Sequence, residues 1–258
     1  MGAEIDLSVV VPAYNEAERL PKTLRRLHQY LIASPFRYEI LIVLDGPTDN
    51  TPEVLHRISS EISNLRIIDR TVNRGKGYTI KEGILNCAGR IRLFTDADDS
   101  TDIAHLDLML PLFDQGYDLV IASRNAKDAA GAIQVVPQPF YRWFLGRVGN
   151  FLVQRLLFRG LWDTHCGFKA FRGDVAERIF ANAEIDGWGF DIEVLALAQA
   201  MQYKIGIIPA HWINDRRSHM GMLSYLQALK EILRLSARMR RFRIDQDQKQ
   251  TLDGSSVK

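Results

Sequence analysis

The sequence predicts an α/β fold in which helices flank a mostly parallel central sheet. Two observations point to this fold class: apolar runs of strand length alternate with segments of helical periodicity, and polar loops follow the first, second and fourth of these runs. Because the carboxyl ends of parallel strands meet at one edge of a sheet, the three loops should converge. Open α/β sheets bind ligands at that edge, so a ligand site is expected there.

The first two strands are each followed by a helix. Strand one covers residues 7–11, and Pro12 breaks it into a polar turn. The helix after this turn is predicted from a leucine stripe, which consists of Leu20, Leu24, Leu27 and Leu31. Strand two covers residues 39–44, and Pro52 begins the next helix after a turn that contains glycine and proline.

The third and fourth strands repeat this order. A short strand near residues 65–69 leads into a loop at residues 73–77 and a helix that ends at about Ala88. Strand four covers residues 90–95, and a helix follows near residues 105–115. The chain therefore continues the alternation of strands and helices that a parallel sheet requires.

Asp96 and Asp98 stand directly after strand four, two residues apart. Carboxylates crowded in one loop repel each other unless a cation lies among them. Hard oxygen ligands select Mg²⁺ or Mn²⁺, usually shared with a substrate phosphate. The pair therefore indicates a metal and diphosphate site, and an acidic turn that caps the following helix is the alternative.

Lys76 lies between two glycines where a helix begins. The backbone N–H groups of a helix start, together with a lysine ammonium, are suited to hold the phosphates of a nucleotide. A plain glycine turn is the alternative.

Composition indicates one soluble globular domain. The chain has 258 residues, of which 47% are hydrophobic and 25% charged, and this length can bury a full core. Cys87 and Cys166 cannot form a disulfide framework and no charged and apolar leader precedes strand one, so a reducing cytoplasm is expected. No apolar run approaches the roughly 18 residues that span a bilayer, so we expect no membrane crossing.

Two segments combine basic residues with apolar ones. Residues 137–161 hold four arginines and six aromatic residues without an acid, and residues 222–243 combine an apolar helical stripe with six basic residues. Both patterns suit a membrane surface, and an ordinary amphipathic helix packed on the sheet is the alternative for the second. Nucleic acid binding is not expected, because the net charge is only +2 and no nucleic-acid module is recognisable.

Four loops resemble glycosyltransferase family 2 of the GT-A fold, a Rossmann-like fold whose members transfer sugars from nucleotide diphosphates. In chain order they cover residues 10–16, 45–51, 73–77 and 96–98. Three later segments are similar to the branch of dolichyl-phosphate glucosyltransferases and mannose synthases, with the glucosyl enzymes the closer likeness. These segments cover residues 122–124, 163–172 and 188–193.

The resemblance spans roughly residues 7–235 and implies one glycosyltransferase domain over residues 1–244. Its nucleotide-binding half would extend to about residue 124, and its acceptor half would cover about 125–244. The polar tail at 245–258 is predicted to be disordered.

The resemblance implies a donor site formed by residues from the early loops. It comprises Pro12, Tyr14, Glu16, Asp45, Lys76 and Asp96, with Asp98 and Asp96 as metal ligands. Asp45 is expected to contact the uracil ring. The family usually carries two adjacent acids after strand two, whereas Leu44 precedes a single Asp45 here.

The resemblance also implies residues that contact an acceptor phosphate. They are Arg124, Arg142 and Arg217, although the neighbouring Arg216 is an alternative to the last. Asp98, Arg124 and Asp191 are the expected catalytic residues. Asp191 would serve as general base for a hydroxyl acceptor or would orient a phosphate acceptor, and a favourable charge at a helix start is the alternative.

These observations lead to the hypothesis of a metal-dependent inverting transferase. It would move glucose from UDP-glucose to a polyprenyl or dolichyl phosphate and would be peripherally bound at the cytoplasmic membrane face. A GDP-mannose donor is an alternative, since Asp99 and Ser100 stand where the glucosyl branch tends to have a glycine. A soluble hydroxyl acceptor is a second alternative. A non-catalytic nucleotide-sugar binding module is another, favoured by Leu44. The oligomeric state stays open.

Overall fold

The computed structural model describes residues 4–134, 150–157, 160–212 and 230–242. The strands are β1 Leu7–Ala13, β2 Tyr38–Asp45, β3 Leu65–Arg70, β4 Ile91–Thr95, β5 Leu119–Ser123, β6 Ile133–Gln134, β7 Phe168–Arg172, β8 Ile205–Pro209 and β9 His211–Trp212. The helices are α1 Leu20–Ala33, α2 Thr51–Ile58, α3 Lys76–Leu85, α4 Leu106–Asp114, α5 at 150–156, α6 Gly173–Ala181, α7 Phe190–Ala200 and α8 at 230–242.

Seven strands form one sheet in the order β3-β2-β1-β4-β7-β5-β8. All neighbouring pairs are parallel except those of β7, which runs antiparallel between β4 and β5. A small parallel pair joins β6 to β9. The prediction of a mostly parallel sheet flanked by helices is confirmed.

The sheet is covered on both faces by apolar side chains. One core cluster joins the sheet to α3, α6, α7 and α8, and the other joins it to α1, α2 and α4. The predicted leucine stripe of α1 is buried throughout. From Glu39 onward every residue of β2 is buried, which explains its near-continuous apolar run.

Two element boundaries differ from the prediction by two residues or more. β1 continues through Pro12 to Ala13, because its pairing with β4 already ends at Val10 and a proline beyond that point interrupts no ladder with β4. α3 ends at Leu85 rather than near Ala88.

α8 corrects part of the membrane interpretation. Ile232, which the sequence placed on a membrane-facing stripe, is buried together with Leu235 and Met239 against α7, whereas Leu233 is 53% exposed. The described part of this segment is therefore an ordinary packed amphipathic helix. The rest of the stripe at residues 222–229 lies outside the described residues. Within the described ranges, no helix has the length and apolarity to cross a membrane.

Candidate functional site

The loops after β1 and β2 are joined by hydrogen bonds at the carboxyl edge of the sheet. Asn15 Oδ1 accepts from the backbone N–H of Thr48 at 2.8 Å, and the backbone N–H of Glu16 donates to Thr51 Oγ1 at 2.8 Å. Tyr14 beside them is 45% exposed, and Pro12 is half-buried. These contacts confirm that the two loops converge.

Asp45 ties the end of β2 to the loop after β3. Its Oδ1 accepts from Arg70 Nη2 at 2.6 Å and from the Arg74 N–H at 2.8 Å, and its Oδ2 accepts from the Gly75 N–H at 3.0 Å. The carboxylate is buried, and Arg70 was not foreseen as its partner. The predicted contact of Asp45 with a uracil ring stays a prediction.

Lys76 and Asp96 form an ion pair between the loops after β3 and β4. Lys76 Nζ lies 2.6 Å from Asp96 Oδ1 and 5.3 Å from the centroid of the Trp188 ring. Burial lowers the pKa of Lys76, but attraction to Asp96 and Asp191 outweighs it and the net pKa is raised. An ammonium therefore faces the carboxylates at this edge.

Three N–H groups at the start of α3, which the sequence suggested for a nucleotide, already have partners within the protein. The Gly77 and Tyr78 N–H groups donate to Asp186 O at 2.8 and 3.2 Å, and Gly75 donates to Asp45. A Cβ on Gly75 would collide with Asp186 O, and one on Gly77 with Ile185 O. The two glycines therefore permit close packing of the 185–186 backbone, and of this loop only the Lys76 side chain is directed to the site carboxylates.

Asp98 is the second carboxylate of the loop after β4. Burial and the nearby Asp96 charge raise the pKa of Asp98, while the Ser100 N–H donates to its Oδ1 at 3.0 Å. The pKa of Glu16 is raised as well, mainly by burial, with Asp98 and Asp96 contributing. The site thus concentrates negative charge that a cation relieves.

The carboxylates fit a divalent cation that a substrate completes. Among the described residues no group of three or more His, Cys, Asp and Glu side chains is arranged to hold a metal. Mg²⁺ and Mn²⁺ are often held by one or two carboxylates together with substrate phosphates, and Asp96 and Asp98 match that donor set. The fit depends on phosphate oxygens from a ligand.

Arg124 is held by Asp163. Its Nε and Nη2 donate to the two carboxylate oxygens at 2.7 Å each, and its backbone N–H donates to Oδ2 at 2.8 Å. Burial raises the pKa of Asp163, but Arg124 outweighs this and lowers it to about 2. The sequence placed Arg124 near an acceptor phosphate without foreseeing this pair. Arg142, Arg216 and Arg217 lie outside the described residues.

Asp191 lies in the first turn of α7 and is 2% exposed. It pairs with the ammonium of Lys169, which is fully buried in β7. Sequence reasoning missed Lys169, although a lysine among the apolar residues of a buried strand was a usable signal. Lys169 lies in β7 opposite Phe94 of β4, and its side chain reaches Asp191 at the start of α7.

The amino-acid sequence of this chain is similar to that of known proteins. Residues 8–180 match the profile described as "Glycosyl transferase family 2". The chain is 34% identical to "Dolichyl-phosphate beta-glucosyltransferase" of Dictyostelium discoideum over 246 residues, which cover 91% of this chain and 75% of that protein. It is 32% identical to the Homo sapiens protein of the same name, over 88% and 74% of the two chains.

Solved structures share the fold. Glucosyl-3-phosphoglycerate synthase from Mycobacterium tuberculosis, in complex with Mn²⁺, uridine diphosphate and glucosyl-3-phosphoglycerate, superimposes with a TM-score of 0.66 at 18% identity. The match covers 90% of this chain and 80% of that one. S. aureus TarS in complex with UDP-GlcNAc gives 0.59 at 16% identity, over 92% and 70%. At this identity the likeness concerns the GT-A fold alone.

Proposed function

The chain belongs to glycosyltransferase family 2, and we propose that it transfers glucose from UDP-glucose to a polyprenyl or dolichyl phosphate. The observation that carries the proposal is the cluster of Lys76, Asp96 and Asp98 at the carboxyl edge of the sheet. One ammonium beside two carboxylates suits a nucleoside diphosphate that arrives with a divalent cation. The names of the relatives support glucose as the sugar and a dolichyl phosphate as the acceptor.

The donor half of the site manages the charge of the leaving diphosphate. Mg²⁺ or Mn²⁺ held by Asp98, with Asp96 beside it, would act as a Lewis acid that neutralises this charge. Lys76 supplies a further positive charge, since its ammonium already lies against Asp96 and can pair with a phosphate oxygen. Tyr14 and Pro12 border the same edge and are proposed to contact the nucleotide.

The acceptor half needs positioning more than proton transfer. A phosphate monoester is ionised near neutral pH, so its oxygen can attack the anomeric carbon without a general base. Asp191 is buried and paired with Lys169, which is a poor arrangement for taking a proton from a hydroxyl. We therefore assign Asp191 to orientation, and direct displacement at the anomeric carbon inverts its configuration.

Arginines complete the proposed acceptor site. Arg124, held by Asp163, presents a rigid guanidinium beside Trp212, with 5.0 Å from Cζ to the ring centroid. Arg142 and Arg217 are proposed as further phosphate contacts.

Peripheral contact with the cytoplasmic membrane face is part of the proposal, because the acceptor is a lipid. Phe151 in α5 is 66% exposed and Trp162 is 37% exposed. Both residues lie in or next to the basic and aromatic segment at 137–161. Exposed aromatic rings among arginines suit the boundary of lipid headgroups.

The test is transfer of labelled sugar into an organic-extractable lipid. Purified protein is incubated with Mg²⁺ or Mn²⁺, a polyprenyl phosphate, and either UDP-glucose or GDP-mannose. Labelled lipid from UDP-glucose alone supports the proposal. Label from GDP-mannose alone would overturn the choice of sugar, and donor hydrolysis without labelled lipid would overturn the choice of acceptor. Nucleotide binding without turnover would favour a binding module.

A further inference from the structure

We propose that Lys169 is a positioning residue for glycosyl transfer, because it holds both the Asp191 carboxylate and the loop at residues 163–167. Lys169 is fully buried in β7, pairs with Asp191, and donates to Cys166 O at 2.6 Å. The ring centroid of Phe94 lies 5.2 Å from the ammonium nitrogen. The inference rests on the proposed function, since transfer is the step that the arrangement serves.

Stability alone does not account for this buried pair. Removing an ammonium from water is costly unless it is paired and hydrogen-bonded. Well-packed apolar residues of similar volume often replace a buried ion pair without loss of stability, or with a gain. β7 is otherwise apolar between Phe168 and Phe171, so an apolar residue at position 169 would suit the core. The lysine therefore indicates a requirement other than packing.

One contact of Lys169 leads to the carboxylates after β4. Cys166, whose carbonyl accepts from Lys169, precedes Gly167, and Gly167 O accepts from the Asp96 N–H at 3.2 Å. A Cβ on Gly167 would collide with the Asp96 carboxylate. The loop at residues 163–167 therefore packs directly on Asp96, and Lys169 is hydrogen-bonded to this loop through the Cys166 carbonyl.

The other contact of Lys169, the ion pair with Asp191, leads to the start of the helix that carries Lys76. Asp191 lies in the first turn of α7, a few residues after Asp186. Asp186 O accepts from the N–H groups of Gly77 and Tyr78 at the start of the helix that carries Lys76. Lys169 thus contacts both the loop that packs on Asp96 and the start of α7, whose preceding loop packs on the start of the helix that carries Lys76. A change of about 1 Å in such an arrangement can cost about 100-fold in rate.

The first experiment compares Lys169→Met with Arg92→Met. Arg92 is also a buried cation, paired with Glu177 at 2.6 Å, but it lies near the opposite end of β4. Both variants are expected to lower the thermal stability. Only Lys169→Met should lower kcat, by about 100-fold, with a change of less than about threefold in the KM of the donor. A wild-type kcat per folded molecule in Lys169→Met, or an equal loss in Arg92→Met, would overturn the proposal.

A double-mutant cycle tests whether Lys169 acts through Asp191. The loss of kcat from Lys169→Met should be at least about tenfold smaller in an Asp191→Asn background than in the wild type. Equal losses in both backgrounds contradict the proposal. If Lys169→Met alone does not fold, the double variant that carries both Lys169→Met and Asp191→Asn is compared with the Asp191→Asn single variant. A kcat that is lower in the double variant by about tenfold or more would contradict the proposal.

Wild-type turnover is measured before any variant. A wild-type enzyme that transfers no glucose to the lipid phosphate counts against the proposed function alone. The variant ratios are then measured with the donor that the wild type does consume, so that the role of Lys169 is tested separately.

Discussion

Asp163→Asn is expected to destabilise the protein in a manner that depends on pH. The carboxylate is almost fully buried against Arg124, which lowers its pKa to about 2 from the usual 3.8. This difference corresponds to about 2 kcal/mol of folding free energy. Because the folded pKa is the lower one, the contribution is fully present above pH 5 and is lost as the pH falls through the folded value.

Urea unfolding at pH 7, 4 and 3 measures this contribution. At pH 7 Asp163→Asn should lower the free energy of unfolding by about 2 to 3 kcal/mol, because the partly buried guanidinium of Arg124 loses its charged partner. At pH 3 about half of the difference from the wild type should remain. The exposed pair Asp6–Arg37 supplies the control, since Asp6→Asn should change little at any pH. A variant as stable as the wild type at pH 7, or a difference that does not shrink by pH 3, would refute the reasoning.

Three further predictions concern turnover and stability. Asp98→Asn should lower kcat at least about 100-fold, because a proposed metal ligand loses its charge, while the far-ultraviolet circular dichroism spectrum stays unchanged. Near-normal turnover would show that Asp98 is not a metal ligand. Arg142→Ala should raise the KM of the lipid phosphate far more than that of the donor, and equal effects on both would contradict its placement. Arg238→Met should lower the free energy of unfolding, measured by urea titration, by about 3 kcal/mol, because it leaves the fully buried Glu193 carboxylate without its arginine. An unchanged free energy of unfolding would show that this ion pair does not stabilise the packing of α8.

The sequence was sufficient for much of the sheet and for the convergence of the loops at its carboxyl edge. The leucine spacing of α1 and the apolar run of β2 follow from local periodicity, which packing preserved. The loops after β1 and β2 converge because the strands before them are parallel neighbours. Asp96 and Asp98 reach the same carboxyl edge as predicted, because β4 before them is the parallel neighbour of β1.

The missed features depend on contacts between distant parts of the chain. Lys169 and Asp191 are 22 residues apart in the sequence, and β7 lies antiparallel between β4 and β5, an arrangement that no local pattern specifies. The N–H groups of Gly75 and Gly77 looked available for phosphate because the sequence did not reveal their partners, which are the Asp45 carboxylate and the Asp186 carbonyl. Buried partners thus add contacts that the motifs did not reveal, and the roles of the site residues stay predictions.

A comparison of two acceptors tests the central claim most directly. A polyprenyl phosphate and the polyprenol of the same chain length are offered with labelled UDP-glucose and metal. With an ionised acceptor and with Asp191 held by Lys169, glucose should enter the phosphate and the polyprenol should react at least about 100-fold more slowly. Equal transfer to the polyprenol hydroxyl would show that the site contains a working general base and would contradict the account.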